Sequence, residues 1–272
     1  MTTTAINLDE LRGKQQAVWS SGDYNKIAAL TVPVNETVVA AAQVVPGDAV
    51  LDIATGTGHS AIAAARQGAK ATGIDYVPAL LDIARSRAAA EQVAVDFVEA
   101  PAERLPFADG SFDAVVSAIG VMFAADHQGA ADEIVRVTRS GGRIAIASWT
   151  AQGFIGGMLG IVVKHAPAPP GAQSPVRWGD EGIVAELLGD RVTNVESTLH
   201  HLPVRFASAA AFADLFLEYY GPTHMASRRL DEVGQAALRA DLVQHATTSG
   251  RITHSGALHL EWEYRVVTAA RA

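Results

Sequence analysis

The residues able to do chemistry first gather in Val50-Leu51-Asp52-Ile53-Ala54-Thr55-Gly56-Thr57-Gly58-His59, followed by Gly73-Ile74-Asp75. An apolar run ending in glycines reads as a buried parallel strand turning sharply into a helix, because only residues without bulky side chains let the backbone approach a ligand. Asp75 closes a second apolar run, where a carboxylate can accept both hydroxyl hydrogens of a ribose. Strand, glycine turn, helix, strand and acid, in that order, predict a nucleoside pocket. Gly56-Thr57-Gly58-His59-Ser60-Ala61 also satisfies the loose dinucleotide pattern, so two cofactor classes compete. Asp52 favours one of them. A carboxylate at the end of the first strand repels a pyrophosphate. S-adenosylmethionine carries no phosphate and brings an ammonium that such a carboxylate attracts, directly or through water. A nicotinamide-dependent oxidoreductase stays open as the alternative.

Val50 to Gly58, Asp75, Leu105-Pro106-Phe107-Ala108-Asp109-Gly110-Ser111-Phe112-Asp113 and Arg139-Ser140-Gly141-Gly142-Arg143 together resemble the class I S-adenosylmethionine-dependent methyltransferases. The nearest flavour is the small-molecule group that includes ubiquinone/menaquinone-biosynthesis-like enzymes. The resemblance runs in order over residues 45–150 and thins beyond them. Gly120-Val121-Met122-Phe123 and Trp149-Thr150-Ala151-Gln152-Gly153-Phe154-Ile155-Gly156 also resemble uncharacterised bacterial members, which adds no substrate.

The resemblance implies a Rossmann-like doubly wound α/β fold with a seven-stranded, mostly parallel sheet, and S-adenosyl-L-methionine as cofactor. It implies cofactor roles for Asp52, Ala54, Thr55, Gly56 and Gly58, and for Asp75 at the ribose. Tyr76 and Val77 would line one side of adenine, the Ala102 amide and Glu103 would approach the ring, and Ser117 would hold the methionine ammonium through its backbone carbonyl. Thr55 and His59 could equally cap the following helix. Two departures stand out. Ala54 replaces the first glycine of the family motif, and Pro101 stands where related enzymes carry an acid for the adenine amino group. No Asn/Asp-Pro-Pro-aromatic signature follows the fourth strand, which argues against amino methylation of bases and leaves oxygen, carbon or small-amine acceptors.

Methyl transfer from a sulfonium is an in-line displacement whose leaving group needs no acid, so alignment and desolvation can supply much of the catalysis. A phenol or alcohol acceptor would still benefit from a base. By family geometry His127 is the candidate; otherwise Asp126 caps a helix and His127 is an exposed first-turn residue. Trp178, Tyr219, Tyr220 and His224 are candidates for the substrate pocket. Tyr219 and Tyr220 are adjacent and cannot both face one core, so one points into the pocket or out to solvent. His200, His201, His254 and His259 lack a metal-ligand spacing, and no metal is expected.

The elements that must position these residues alternate regularly. Strands are predicted near 49–53, 70–74, 94–98, 112–118 and 143–149, with helices near 59–67, 79–91 and 127–138. Gly68 and Gly141-Gly142 sit where helices should stop. Residues 1–45 form an N-terminal segment, mainly helical from Leu11 to Val45, that covers the cofactor in the family. Its polar first dozen residues read as a loose tail or an oligomer contact, with a homodimer among the options. Residues 46–272 form the catalytic domain. Ala166-Pro167-Ala168-Pro169-Pro170-Gly171 is a surface loop, since proline lacks an amide donor and restricts its predecessor. A helix near 180–188 and strands near 192–206 and 257–268 follow, with helical patterns at 208–219 and 230–246. Segments 150–179 and 207–255 are read as a helical cap over the acceptor site.

Composition sets outer bounds. At 272 residues the chain can bury a full core. Its net charge of -8, with scattered basic residues, offers no footprint for a nucleic-acid backbone. The longest apolar stretch, Gly153 to Val163, is too short to span a bilayer, and the N-terminus lacks a signal pattern, so a cytoplasmic protein is expected. The absence of cysteine excludes disulfides, thiolate metal sites and methyl transfer through a protein thiol. The expectation is a methyltransferase acting on a small, fairly apolar molecule, with oxygen as the first choice of accepting atom. A non-catalytic S-adenosylmethionine-binding protein on the same fold is the second rival.

Overall fold

The computed structural model describes residues 7–272. Three helices come first: α1 (Leu8–Trp19), α2 (Tyr24–Ala28) and α3 (Val32–Ala41). Of the dozen residues expected as a loose tail or oligomer contact, 1–6 lie outside the described residues, whereas Leu8 to Arg12 already belong to α1 instead of a loose tail. The alternating core follows as β1 (Ala49–Ile53), α4 (His59–Arg66), β2 (Lys70–Asp75), α5 (Pro78–Ala90), β3 (Val95–Glu99), β4 (Phe112–Ala118), α6 (His127–Val137) and β5 (Thr138–Trp149). Then come α7 (Phe154–His165), α8 (Glu181–Leu188), β6 (Val192–Phe206), α9 (Ala209–Tyr219), α10 (Gly221–Arg228), α11 (Glu232–Ser249), the two-residue β7 (Arg251–Ile252) and β8 (Leu258–Arg271).

The sheet runs in the order β3-β2-β1-β4-β5-β8-β6, with β7 paired to β8 at the edge. Strands β1 to β5 pair in parallel, and β8 is antiparallel to both β5 and β6. This is the seven-stranded, mostly parallel sheet the resemblance implies, with β7 as a small addition. Val50, Leu51 and Ile53 of β1 and Ala114, Val115 and Val116 of β4 are all at most 1% exposed, because helices cover both faces of these central strands. Strand order reverses between β1 and β4. In open α/β sheets the crevice beyond the carboxyl ends at such a reversal is where ligands bind.

One expectation fails at Gly141 and Gly142. The helix before them ends at Val137, and Thr138 already pairs with Phe112. The register then slips, so that Arg143 pairs with Ala114. The two glycines lie in that irregularity: Gly141 has φ +68°, and a Cβ on Gly142 would sit 2.7 Å from the Arg139 carbonyl oxygen. They serve a strand bulge instead of a helix stop. Gly68, by contrast, lies just past the end of α4 with φ +83°, the conformation a helix terminus favours.

β8 overhangs the sheet. It meets β5 only over residues 264–270, whereas its first residues continue the ladder with β6 from Leu202 to Phe206. Leu258, Leu260 and Trp262 of the overhang are buried, and α7 and α11 pack on this strand. Trp262 packs with Phe154 of α7, Phe206 of β6 and Phe216 of α9, which fastens α7 and α9 to the sheet. α10 was not legible because Gly221-Pro222 reads as a breaker, yet proline in a first helical turn lacks only an N–H that would have no helical partner. Gly221 lets this helix approach α1, since a Cβ there would collide with the Val18 carbonyl. Among the described residues no helix is long and apolar enough to cross a membrane.

Candidate functional site

The turn after β1 is held by its own acid. Asp52, 2% exposed, accepts from the Thr55 hydroxyl at 2.5 Å and from the Ala61 amide at 3.1 Å, both on Oδ2. Ala61 is the third residue of α4, so this carboxylate already engages the helix N-terminus where a phosphate would otherwise bind. Burial pushes its pKa up to about 7. Asp52 and Thr55 therefore build the turn from behind, and neither lines the cleft in front of it. Gly58, with φ +87°, is required by packing, since a Cβ would lie 2.8 Å from that of Ala84. It too stands behind the wall. Ala54 and Gly56 do line the cleft. Ala54 has φ +54°, a left-handed conformation that strains any residue with a Cβ, so the glycine-to-alanine departure is more than an added methyl group.

Asp75 faces the same cleft from the end of β2. It is 5% exposed; Oδ2 accepts from the Gly56 amide and Oδ1 from the Val77 amide, each at 2.9 Å. A carboxylate has about four lone-pair positions, so each oxygen keeps one for a ligand hydroxyl. Burial raises its pKa to about 6, and the backbone amides oppose that rise. Tyr76 lines the cleft beside it, while the Tyr76 carbonyl accepts from Gln16 of α1. The Val77 side chain does not reach the cleft: it is buried at the start of α5, and Leu80 one turn on takes the apolar place.

The far wall comes from the loop after β3 and the end of β4. Ala100, Ala102 and Glu103 line it. Glu103 Oε1 accepts from the amides of Ala125 and Asp126 at 2.7 and 3.2 Å, and Oε2 lies 3.6 Å from Arg12 Nε. Glu103 thus ties three segments together around the cleft. Ser117 does not line it. Its hydroxyl donates to the Ile53 carbonyl and accepts from the Val121 amide, stitching β4 to β1. Ile119, with φ +55°, and Gly120 form the wall instead. A Cβ on Gly120 would sit 2.6 Å from the Ala54 carbonyl oxygen, so this close approach requires glycine. Arg12, Gln15 and Trp19 of α1 and Tyr24 of α2 complete the cleft, which encloses about 600 Å³ including its open mouth. Sequence reading missed these N-terminal residues, because nothing in a polar helix announces which face meets a crevice.

Beyond Tyr24, Ile119 and Phe123 lies a smaller aromatic compartment that shares those three residues with the cleft. Ile155 and Met158 of α7, Phe216, Tyr220 and Trp262 supply much of its wall. Tyr220 is 4% exposed and packs on Trp19, whereas Tyr219 is partly exposed, so the two adjacent tyrosines do point apart. His224 is outside both spaces and bonds the Leu217 carbonyl through Nδ1. Trp178 is 1% exposed and packs edge-on against His127, away from both spaces. His127 requires the same correction. It is 1% exposed, its Nε2 meets the Met122 carbonyl at 3.2 Å, and burial pushes its pKa down to about 4. Its backbone amide donates to Gln173, and Asp126 makes no side-chain cap bond. A ring packed under tryptophan cannot reach an acceptor in the cleft. Among the described residues no group of three or more His, Asp or Glu side chains gathers in a way that could hold a metal ion.

The residues present fit S-adenosylmethionine. A buried carboxylate with spare lone pairs faces the cleft beside Gly56, apolar walls from Leu80, Ala100 and Ala102 suit a purine, and an acid already occupies the helix N-terminus that a pyrophosphate would need. Residues 51–146 match the model of a methyltransferase domain. An uncharacterised protein of Mycobacterium tuberculosis is 41% identical over 99% of this chain and 98% of its own length. A demethylmenaquinone methyltransferase of Thermus thermophilus is 44% identical over 125 residues, 45% of this chain and 50% of that protein. The crystal structure of the YcgJ protein of Bacillus subtilis shares the fold, with a TM-score of 0.59 at 18% identity over 88% of this chain and 98% of that one. Sequence, sheet order and cleft agree: the chain belongs to the class I S-adenosylmethionine-dependent methyltransferases, with S-adenosylmethionine as its methyl donor.

Proposed function

We propose that the protein methylates an oxygen atom of a small, largely apolar acceptor. The observation that carries this reading is the aromatic compartment beside the donor cleft. Among the described residues its polar side chains are hydroxyls and indoles, with no carboxylate, carboxamide or imidazole. Burial, with the charge of Asp75, pushes Tyr24 up to about 12, and burial raises Tyr220 well above 10. Both phenols therefore stay protonated and can donate hydrogen bonds. An oxygen nucleophile accepts such a bond and still has a lone pair for attack, whereas an amine needs its one lone pair for the reaction. A wall of donors favours oxygen.

S-adenosylmethionine supplies a methyl group on a sulfonium, whose thioether leaving group needs no acid. Asp75, Gly56 and Tyr76 hold the nucleoside end, and Glu103 keeps the far wall closed. With no base facing the compartment among the described residues, acceptors that ionise readily, such as phenols, enols and carboxylic acids, suit it best; alignment and exclusion of water supply the rate. In this reading residues 1–45 cover the donor through Arg12, Gln15, Trp19 and Tyr24, and segments 150–179 and 207–255 cap the acceptor.

A labelled-methyl screen over phenols, enols, carboxylic acids and amines of similar size tests the reading. O-methyl products are expected, and products methylated only on nitrogen would overturn it. Tyr24→Phe should lower kcat/KM for the best acceptor about tenfold, the worth of one hydrogen bond.

A further inference from the structure

A larger cavity, enclosing about 1750 Å³ including its open mouth, lies beside the donor cleft, between α1, α7, the proline loop and α10. Leu11, Val18, Leu159, Val163, Pro167 and Met225 give it apolar walls. It meets the donor cleft at Gln15, Trp19 and Phe123, which line both spaces. Trp19 and Phe123 pack edge to face with ring centroids 4.8 Å apart and form the partition between them.

α7 presents Gly156, Leu159, Gly160 and Val163 to this groove. Their spacing is that of one helix face, and at 1.5 Å per residue the stripe runs about 10 Å. The two glycines differ in kind. A Cβ on Gly156 would collide with the carbonyls of Thr150 and Ala151, so packing requires it. A Cβ on Gly160 would meet nothing within 4 Å. Glycine inside a helix is less stable there than alanine. Packing gives no reason for Gly160; what it preserves is open volume in the groove. Val163 is a large apolar residue left 51% exposed on the same wall. An apolar concavity of this size that borders a reaction site is shaped for the unreactive part of a substrate.

We propose that this groove holds a hydrocarbon tail carried by the acceptor, whose reactive head lies across the wall of Trp19 and Phe123, at the donor. The inference rests on the methyl-transfer reading above. The wall shared with the donor cleft distinguishes a substrate tail from a second copy of the chain, since a protein surface seated in the groove would gain nothing from a border in common with the donor site.

The test uses n-alkyl 4-hydroxybenzoates, ethyl to dodecyl, titrated into the full-length protein by calorimetry with and without S-adenosylhomocysteine. Kd should fall with chain length, by up to about fourfold per buried methylene, and level off once the groove is filled. Gly160→Phe should flatten that dependence, leaving the affinities for the ethyl ester and S-adenosylhomocysteine unchanged. Val163→Asp, at a half-exposed position, should weaken the dodecyl ester about tenfold or more and serves if the phenylalanine variant does not fold. A Kd independent of chain length, or unaltered chain-length dependence in folded variants, overturns the groove as a tail site. So does a change of oligomeric state in either variant by light scattering, which would make the groove an interface. Failure of S-adenosylhomocysteine to bind would instead overturn the methyl-transfer reading, while the titrations run without it still decide the groove.

Discussion

Asp52→Asn should stabilise the protein at pH 8 and leave its stability nearly unchanged at pH 5. Asp52 is 2% exposed, and a single oxygen, Oδ2, takes both of its hydrogen bonds, from Thr55 and Ala61. An asparagine carbonyl in that place keeps both. Burial raises the carboxyl from 3.8 to about 7. A folded-state pKa above the unfolded value means that the fold prefers the proton: the stability from this group is complete below pH 3.8 and is lost as pH climbs to about 7. At about 1.36 kcal/mol per unit the full loss is about 4 kcal/mol, of which roughly 1.5–2 kcal/mol has developed by pH 5. Asparagine avoids that loss but leaves an NH2 group without an assured partner, at a cost of about 1–3 kcal/mol. The net gain is then about 1–3 kcal/mol at pH 8 and near zero at pH 5. Because the amide cost does not titrate, it cancels between the two conditions, and the variant's advantage should grow by about 2–3 kcal/mol from pH 5 to pH 8. Urea unfolding of both proteins at pH 5, 6.5 and 8, followed by circular dichroism, measures this directly. Parallel pH profiles for the two proteins would refute the reasoning, since Asp52 would then ionise in the fold without penalty.

Asp75→Ala strands the Gly56 and Val77 amides and removes the expected ribose acceptor, so S-adenosylhomocysteine affinity should drop by about 1–3 kcal/mol in calorimetry; unchanged affinity in a folded variant removes the ribose assignment. In the wild type that affinity should rise as pH passes about 6, because the ionised form of Asp75 is the one that accepts two hydroxyls; a flat profile from pH 5 to 7.5 contradicts it. Gly120→Ala places a Cβ 2.6 Å from the Ala54 carbonyl oxygen, which should lower stability by about 1–3 kcal/mol and weaken donor binding with it; a wild-type melting curve would show that the loop yields freely. His127→Asn should lower the melting temperature yet keep kcat within about threefold, because the ring is packed under Trp178 outside the cleft; a loss of kcat with unchanged stability would restore it as a base.

Much of the core was legible because its signals are local. The apolar runs of β1, β2 and β4, the glycines between β1 and α4 and the acid ending β2 each follow from neighbouring residues, and the sheet bears them out at the expected positions. Local logic also separated Tyr219 from Tyr220, since adjacent residues on a helix cannot share a face. It failed where a side chain had two competing partners. Asp52, Thr55 and Ser117 carry motif positions, yet they turn inward to brace the wall that Ala54, Gly56, Ile119 and Gly120 present.

The sequence by itself determined the alternating α/β order, the glycine turn and the acid one strand away, because these depend on backbone conformation and on spacing along the chain. Only the tertiary structure decided what closes the cleft. Arg12 meets Glu103, Trp19 meets Phe123 and Tyr220, and Tyr24 lies against the turn at Gly56. It likewise decided that His127 is sealed under Trp178 and that Gly160 keeps a groove open. These contacts join residues far apart along the chain, so their geometry is set by how helices dock on a finished sheet, which no local pattern encodes.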